Sequence, residues 1–164
     1  MDTTPNALGW PFAMFQHICF YVRDMEETER FLASFGIRLV DYPYRDHGGF
    51  AQLEGLRLDG NPDHEEAFWD LGYKHAMAGN VHIQVMAPGR HDTIHQRFVA
   101  QHGNRAYSVG FYIADVDEAE RVLRERGLRV VWKGRHENGL GFTYFDTFER
   151  LGVNLCVRQS PRAY

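Results

Sequence analysis

Two stretches of the chain decide its fold: residues 17–32, HICFYVRDMEETERFL, and residues 108–123, SVGFYIADVDEAERVL. The second stretch lies 91 positions after the first, and 7 of the 16 aligned residues are identical. Extending the alignment to Val40 over Val131 gives ten identities in 24 positions, far more than chance produces. The sequence therefore predicts two copies of one structural unit.

Each copy begins with a predicted strand that runs into a predicted helix. The strands are the β-branched and aromatic segments 18–22 and 109–113. Asp24 and Asp115 follow them, each with a glutamate three residues later, which is the pattern of a helix N-cap. Gly36 and Gly127 predict the ends of the two helices.

Three further strand-like segments follow each helix, so the element order is βαβββ, twice. The segments are 37–42, 49–58 and 81–86 in the first copy, and 129–133, 141–145 and 152–158 in the second. The first copy is 19 residues longer, and we place its insertion at about 59–79, where 65–77 can form a short helix. The predicted organisation is an N-terminal arm (1–14), a first module (15–88), a connecting helix (89–104), a second module (105–158) and a tail (159–164).

Composition excludes several classes of function. The net charge of −4 leaves no basic excess for a nucleic acid partner. No apolar run approaches the roughly 18 residues that cross a bilayer, so we expect no membrane partner. Two cysteines in 164 residues do not form a disulfide framework, and no export signal is recognisable, so we expect a cytoplasmic protein.

Strand alternation predicts where the polar side chains meet. In the first strand the apolar residues Ile18, Phe20 and Val22 should face the helix, which leaves His17 on the opposite face of the sheet. The same argument places polar residues of other strands on that face. A sheet that curls would collect around one concavity His17, His82, Gln84, Ser108, Asn154 and Cys156.

The paired units, the opening motif HICFYVRD at 17–24, and the motif QVMAP at 84–88 resemble the vicinal-oxygen-chelate superfamily. This superfamily includes glyoxalase I, bleomycin-resistance proteins, extradiol dioxygenases and methylmalonyl-CoA epimerases, and the epimerase branch is the most similar. The resemblance implies an α+β fold in which two βαβββ modules form a U-shaped, mostly antiparallel sheet around a central cup. It also implies one divalent metal ion, held by two ligands from each module.

The resemblance assigns the metal site position by position. His17 matches the first ligand and Gln84 the second. Ser108 stands where the third ligand, usually a histidine, would be, and Cys156 stands in place of the fourth, usually a glutamate. Gln52 holds the place of the carboxylate base of the epimerase branch. Two of the four metal ligands are therefore missing.

We expect an isomerase or lyase that acts on a small carbonyl, enolisable or aromatic compound inside the cup. In one version a metal on His17 and Gln84, completed by His82 or Cys156, polarises a substrate oxygen as a Lewis acid. In a metal-free version His17 or His82 carries the proton, while Tyr144, Ser108 or Gln84 orients the oxygen. Both versions remain open at this point.

Other residues are assigned contacts with the substrate. The expected catalytic residues are His17, His82, Tyr144 and Cys156, and the expected substrate contacts are Gln52, Ser108, Phe142 and Asn154. Either Phe142 and Tyr144 or their neighbours Thr143 and Phe145 should line the cavity, because alternate residues of one strand share a face. The alternative to an enzyme is a metal-free binding protein of the bleomycin-resistance type. A homodimer is plausible because the sheet leaves exposed edges.

Overall fold

Nine strands form a single mixed sheet in this computed structural model, which describes residues 14–41, 57–59, 71–136 and 140–159. The strands are β1 (Met14–Tyr21), β2 (Val40–Asp41), β3 (Arg57–Asp59), β4 (Gly72–Ala78), β5 (Val81–Ala87), β6 (Arg105–Tyr112), β7 (Val130–Arg135), β8 (Gly141–Phe145) and β9 (Asn154–Gln159). The helices are α1 (Met25–Ala33), α2 (Ile94–His102), α3 (Val116–Glu125) and α4 (Phe148–Leu151).

The sheet order is β2-β4-β5-β1-β6-β9-β8-β7-β3, so the two repeats lie side by side and meet at the antiparallel pair β1–β6. Within each module the first strand pairs in parallel with the last, and the remaining pairs are antiparallel. The predicted α+β fold of two βαβββ modules, with a curled and mostly antiparallel sheet, is confirmed.

Helices α1 and α3 begin where the N-cap pattern predicts. The side chain of Asp24 accepts a hydrogen bond from the Glu27 amide at 2.9 Å, and Asp115 accepts one from the Glu118 amide at 2.9 Å. Gly127 follows α3 with φ of 85°, a left-handed conformation that glycine adopts without a Cβ clash. Both helices therefore start and stop for local reasons that the sequence contains.

The two faces of the sheet have different coverings. Helix α1 packs on an apolar cluster that includes Val22 and Val85, and α3 packs on one that includes Phe145 and Val157. The opposite, concave face is lined by aromatic and polar residues, with α2 closing part of it through Val99. This arrangement matches the expected division between an apolar helix side and a polar cup.

The third strand of the first module is not where we expected it. Strand β4, 72–78, lies inside the predicted insertion at 59–79 and pairs with β5, so the helix expected at 65–77 is wrong for residues 72–77. The segment 49–58 was expected to supply this strand, but Arg57–Asp59 instead pairs with β7 at the far edge of the second module. The short hairpin at Gly79, with φ of 64°, explains the difference, because it directly joins β4 to β5.

Candidate functional site

Strand register brings the predicted polar residues onto one face of the sheet. The parallel pair β1–β5 sets His17 beside His82, and the pair β6–β9 sets Ser108 beside Asn154. Paired residues of neighbouring strands point to the same side. By the same register Gln84 and Cys156 join this face, so all six residues expected in the concavity share it.

A β-bulge adds Gln16 to this face. Across the pair β1–β6, Phe15 is opposite Phe111 and His17 is opposite Gly110, which leaves Gln16 as an extra residue. A bulge re-aims a side chain that strict alternation would send to the other face. The Gln16 amide accordingly lies beside the His17 imidazole on the concave side.

The second module contains the equivalent bulge. Cys19 is opposite Ser108 and Phe20 is opposite Ala106, so Tyr107 is the extra residue of β6. Tyr107 joins the concave cluster, where its ring stacks on Tyr21 with 4.1 Å between centroids. Position 107 is 91 residues after position 16, so the two bulges are related by the internal repeat.

Gln16 forms hydrogen bonds with two histidines, one of which is bonded in turn to a third. Gln16 Oε1 accepts a hydrogen bond from His17 Nδ1, and Gln16 Nε2 donates to His82 Nδ1 at 3.1 Å. His82 Nε2 then donates to His75 Nδ1, also at 3.1 Å. This chain fixes the tautomers, because the amide offers an acceptor to one imidazole and a donor to the other. His17 Nε2 is therefore the nitrogen that carries the lone pair.

All three imidazoles are neutral at pH 7. Burial lowers the pKa of His17 well below its usual 6.5, and the neighbouring Arg158 guanidinium and His82 imidazole lower it further. Burial, with His75 and Arg158, lowers the pKa of His82 to about 4, and burial also lowers the pKa of His75. Neutral imidazoles can accept protons or bind metals.

Aromatic rings form the wall of the second module. Tyr144 stacks on Trp132 with 4.9 Å between ring centroids and an interplanar angle of 8°. Phe142 meets Trp132 edge-on at 4.9 Å, so Phe142 and Tyr144 are the set that lies on the concave face, while Thr143 and Phe145 face α3. Burial raises the pKa of the Tyr144 phenol, which keeps it protonated as a hydrogen-bond donor.

Helix α2 contributes a buried histidine to the same cluster. His95 lies fully buried, with Nδ1 2.7 Å from the hydroxyl of Tyr21, and its ring meets Trp132 edge-on at 5.0 Å. Burial lowers the pKa of His95 to about 3. This histidine packs the floor of the cup as a neutral group.

The described residues do not fit the four-ligand metal site of the resemblance. In the first module His17 Nε2 and the amide oxygen of Gln84 are types of atom that can bind a divalent metal ion. In the second module Ser108 offers a hydroxyl, and Cys156 offers a thiol whose pKa burial raises to about 12. Within 14–41, 57–59, 71–136 and 140–159, no three or more His, Cys, Asp or Glu side chains are grouped to hold a metal ion.

Sequence reasoning missed Gln16, Tyr107 and His75. A bulge breaks the alternation from which facing was inferred, so Gln16 and Tyr107 gave no signal of their own. His75 fell inside the segment that we assigned to an insertion. In the folded chain His75 lies on β4, the third strand of the module, opposite Gln84 of β5. Gln52, which we expected on the third strand, lies outside the described residues.

The chain matches the family model described as Glyoxalase/Bleomycin resistance protein/Dioxygenase superfamily over residues 16–145. The protein therefore belongs to this superfamily, as its paired motifs indicated. No curated protein sequence matches the chain. Among the described residues no helix is long and apolar enough to span a membrane.

Solved structures of related fold include methylmalonyl-CoA epimerases. The enzyme from Mycobacterium tuberculosis is 16% identical, with a TM-score of 0.62 over 90% of this chain and 88% of that chain. The Streptomyces coelicolor enzyme with 2-nitronate-propionyl-CoA is 21% identical, with a TM-score of 0.58 over 90% and 94%. A hypothetical protein from Bacillus halodurans C-125 is 11% identical, with a TM-score of 0.64 over 92% and 96%. At these identities the similarity shows the fold.

Proposed function

We propose that the protein is a small-molecule isomerase or lyase whose base is His17, acting on a carbonyl or enolisable substrate in the cup. The observation that carries this proposal is the state of His17 Nε2. This nitrogen is buried and has no hydrogen-bond partner among the described residues, while Gln16 holds the proton on Nδ1. A neutral imidazole with an oriented lone pair is a general base.

The proposed step is proton transfer from carbon. His17 Nε2 takes a proton from the carbon next to a carbonyl group, the C–H bond breaks, and its electron pair moves onto the carbonyl oxygen to give an enolate. Return of the proton from the His17 imidazolium to either face of the carbon, or to the oxygen, completes an isomerisation. In an elimination the electron pair returns from the oxygen to restore the carbonyl, a carbon–carbon double bond forms, the leaving group departs from the neighbouring carbon with its bonding pair, and the proton stays on His17.

Two donors are suited to the enolate oxygen. Gln84 is 2% exposed, and its amide nitrogen has no hydrogen-bond partner among the described residues. Tyr144 is a protonated phenol on the same face. Buried donors aimed at a developing negative charge stabilise it more than water does. We infer that the reaction proceeds without the divalent ion of the resemblance, because the described residues at its third and fourth ligand positions, Ser108 and Cys156, offer only a hydroxyl and a protonated thiol.

Hydrogen–deuterium exchange at carbon tests this function directly. The three probes are 2-oxobutanoate, phenylpyruvate and 1-phenylpropan-2-one. In D₂O the wild-type protein should catalyse exchange of the protons next to the carbonyl of at least one of them, and proton NMR measures the rate. His17→Gln should slow this exchange by about 100-fold or more. His91→Gln, at an exposed position on the approach to α2, is the control and should exchange at the wild-type rate. Equal rates in His17→Gln and wild type would contradict the proposal.

The alternative function is a binding protein of the bleomycin-resistance type. The half-buried ring of Phe142 on the concave face favours it, because aromatic surfaces bind flat molecules without chemistry. A probe that binds equally well to wild type and His17→Gln, with no carbon exchange in either, would support this alternative.

The setting of the protein also belongs to the proposal. We propose a cytoplasmic homodimer with a small-molecule ligand and no nucleic acid or membrane partner. Light scattering on the purified protein measures the oligomeric state, and cell fractionation locates the protein.

A further inference from the structure

The concave face carries an unequal distribution of charge. None of its described strand positions is an aspartate or a glutamate, and the described arginines there are Arg105 and Arg158. Arg105 lies at one end of β6, exposed and with its guanidinium 5.5 Å from the centre of the Phe148 ring. Arg158 lies on β9, on the same side as the candidate base.

Register places Arg158 within the wall of the cup. It follows Cys156 by two positions on β9, so both side chains lie on the concave face, and it is opposite Phe142 on β8. On its other side it is opposite Tyr112 of β6. A guanidinium at this place has aromatic neighbours on both adjoining strands.

The charge of Arg158 reaches the candidate base. It contributes to the lowered pKa of His17 and of His82, so its positive field extends over both imidazoles. The imidazoles themselves are neutral, and Gln84, Asn154 and Tyr144 contribute only dipoles. Among the described residues the charge beside His17 is therefore positive, which favours an anion and disfavours a cation.

We propose that Arg158 binds the carboxylate of the substrate, and that the substrate is a small carbonyl acid with an apolar or aromatic body. This inference rests on the proposed function and names its substrate class. A guanidinium presents five N–H donors in a planar fork that matches a carboxylate, so it can hold one while keeping other contacts. The half-buried rings of Phe142 and Tyr112, opposite Arg158 on the two adjoining strands, then receive the apolar part of the acid.

Benzoate and benzamide form a matched pair of probes, because they have the same shape and differ in charge. Titration calorimetry of the full chain should show benzoate binding at least about tenfold more tightly than benzamide. Arg158→Gln should abolish that preference by weakening benzoate alone. Arg158→Lys, which keeps the charge without the fork, should fall between the two and remains informative if Arg158→Gln does not fold. Arg105→Gln, at the other concave-face arginine, should leave the preference intact.

Three results would overturn the inference: equal affinity for the two probes in the wild-type protein, no binding of either, or a preference that survives in Arg158→Gln. These outcomes are independent of catalysis. Charge-selective binding without carbon exchange would support the anion site and contradict the proposed enzyme activity. Carbon exchange on 1-phenylpropan-2-one without charge selectivity would support the enzyme activity and contradict the anion site.

Discussion

The imidazole of His17 lies directly over Gly110, with Nε2 only 2.8 Å from the point where a Cβ on residue 110 would stand. The internal repeat aligns Gly110 with Cys19, and it aligns His17 with Ser108. The β1–β6 pairing therefore contains two equivalent pairs of residues. Ser108 is opposite Cys19, just as His17 is opposite Gly110. A large side chain at one position therefore requires a glycine at the other, and a small one permits a cysteine.

Replacing Gly110 by alanine should displace His17. The added methyl group occupies the space of the imidazole, so the free energy of unfolding should fall by about 1–3 kcal/mol and carbon exchange should be lost. Gly72→Ala is the control, because a Cβ there meets its nearest atoms at an ordinary 3.6 Å. Urea unfolding of both variants measures the difference. A Gly110→Ala protein as stable and active as Gly72→Ala would contradict the close approach.

Restoring the missing ligands should create a metal site. The variant Ser108→His with Cys156→Glu supplies a histidine and a carboxylate at the third and fourth ligand positions, and Cys19→Gly makes room for the new imidazole as Gly110 does for His17. We expect the triple variant to bind one zinc or cobalt ion per chain by elemental analysis after dialysis, and the wild-type protein to bind much less. Stoichiometric metal in the wild-type protein would show that other residues complete its site.

Gln16→Leu should allow His17 to adopt both of its neutral tautomers. In the wild-type protein Gln16 Oε1 keeps the proton on Nδ1, so nitrogen-15 NMR of the imidazoles should show protonated Nδ1 and unprotonated Nε2 in His17. In Gln16→Leu the two tautomers should mix, with slower carbon exchange but preserved binding of benzoate. Gln101→Leu, at an exposed position on α2, should change neither measurement. An unchanged His17 spectrum in Gln16→Leu would remove Gln16 from the mechanism.

The buried histidines make stability depend on pH. An unfolded imidazole takes up a proton near pH 6.5, whereas His95 in the folded protein does so only near its pKa of about 3. The unfolded state therefore binds more protons between these values, and stability is present above pH 6.5 and falls as the pH is lowered toward 3. His95→Gln should reduce the slope of unfolding free energy against pH by up to about 1.4 kcal/mol per unit, measured by urea unfolding. An unchanged slope in His95→Gln would contradict the assignment.

The fold and the shared face were predictable because they depend on periodicity. Alternation along β1 placed His17 correctly, and the 91-residue repeat located the second module without any knowledge of tertiary contacts. The strand that carries His75 was missed because the alignment by apolar pattern gave no weight to the short hairpin at Gly79.

The chemistry of the site was less predictable, because it depends on departures from periodicity. The bulge that sets Gln16 beside His17 exists only once β1 has paired with β6. The pKa of Cys156 likewise depends on burial among rings contributed by other strands. Neither property belongs to a single segment of sequence.

The two edges of the sheet belong to neighbouring parts of the chain. Strand β2 ends at Asp41 on one edge, and β3 begins at Arg57 on the other, beside β7 of the second module. The two halves of the chain are therefore joined twice within the sheet, by the β3–β7 pair at this edge and by the β1–β6 pair at the centre. We therefore expect the molecule to fold as one cooperative unit, in which neither half completes its sheet without the other.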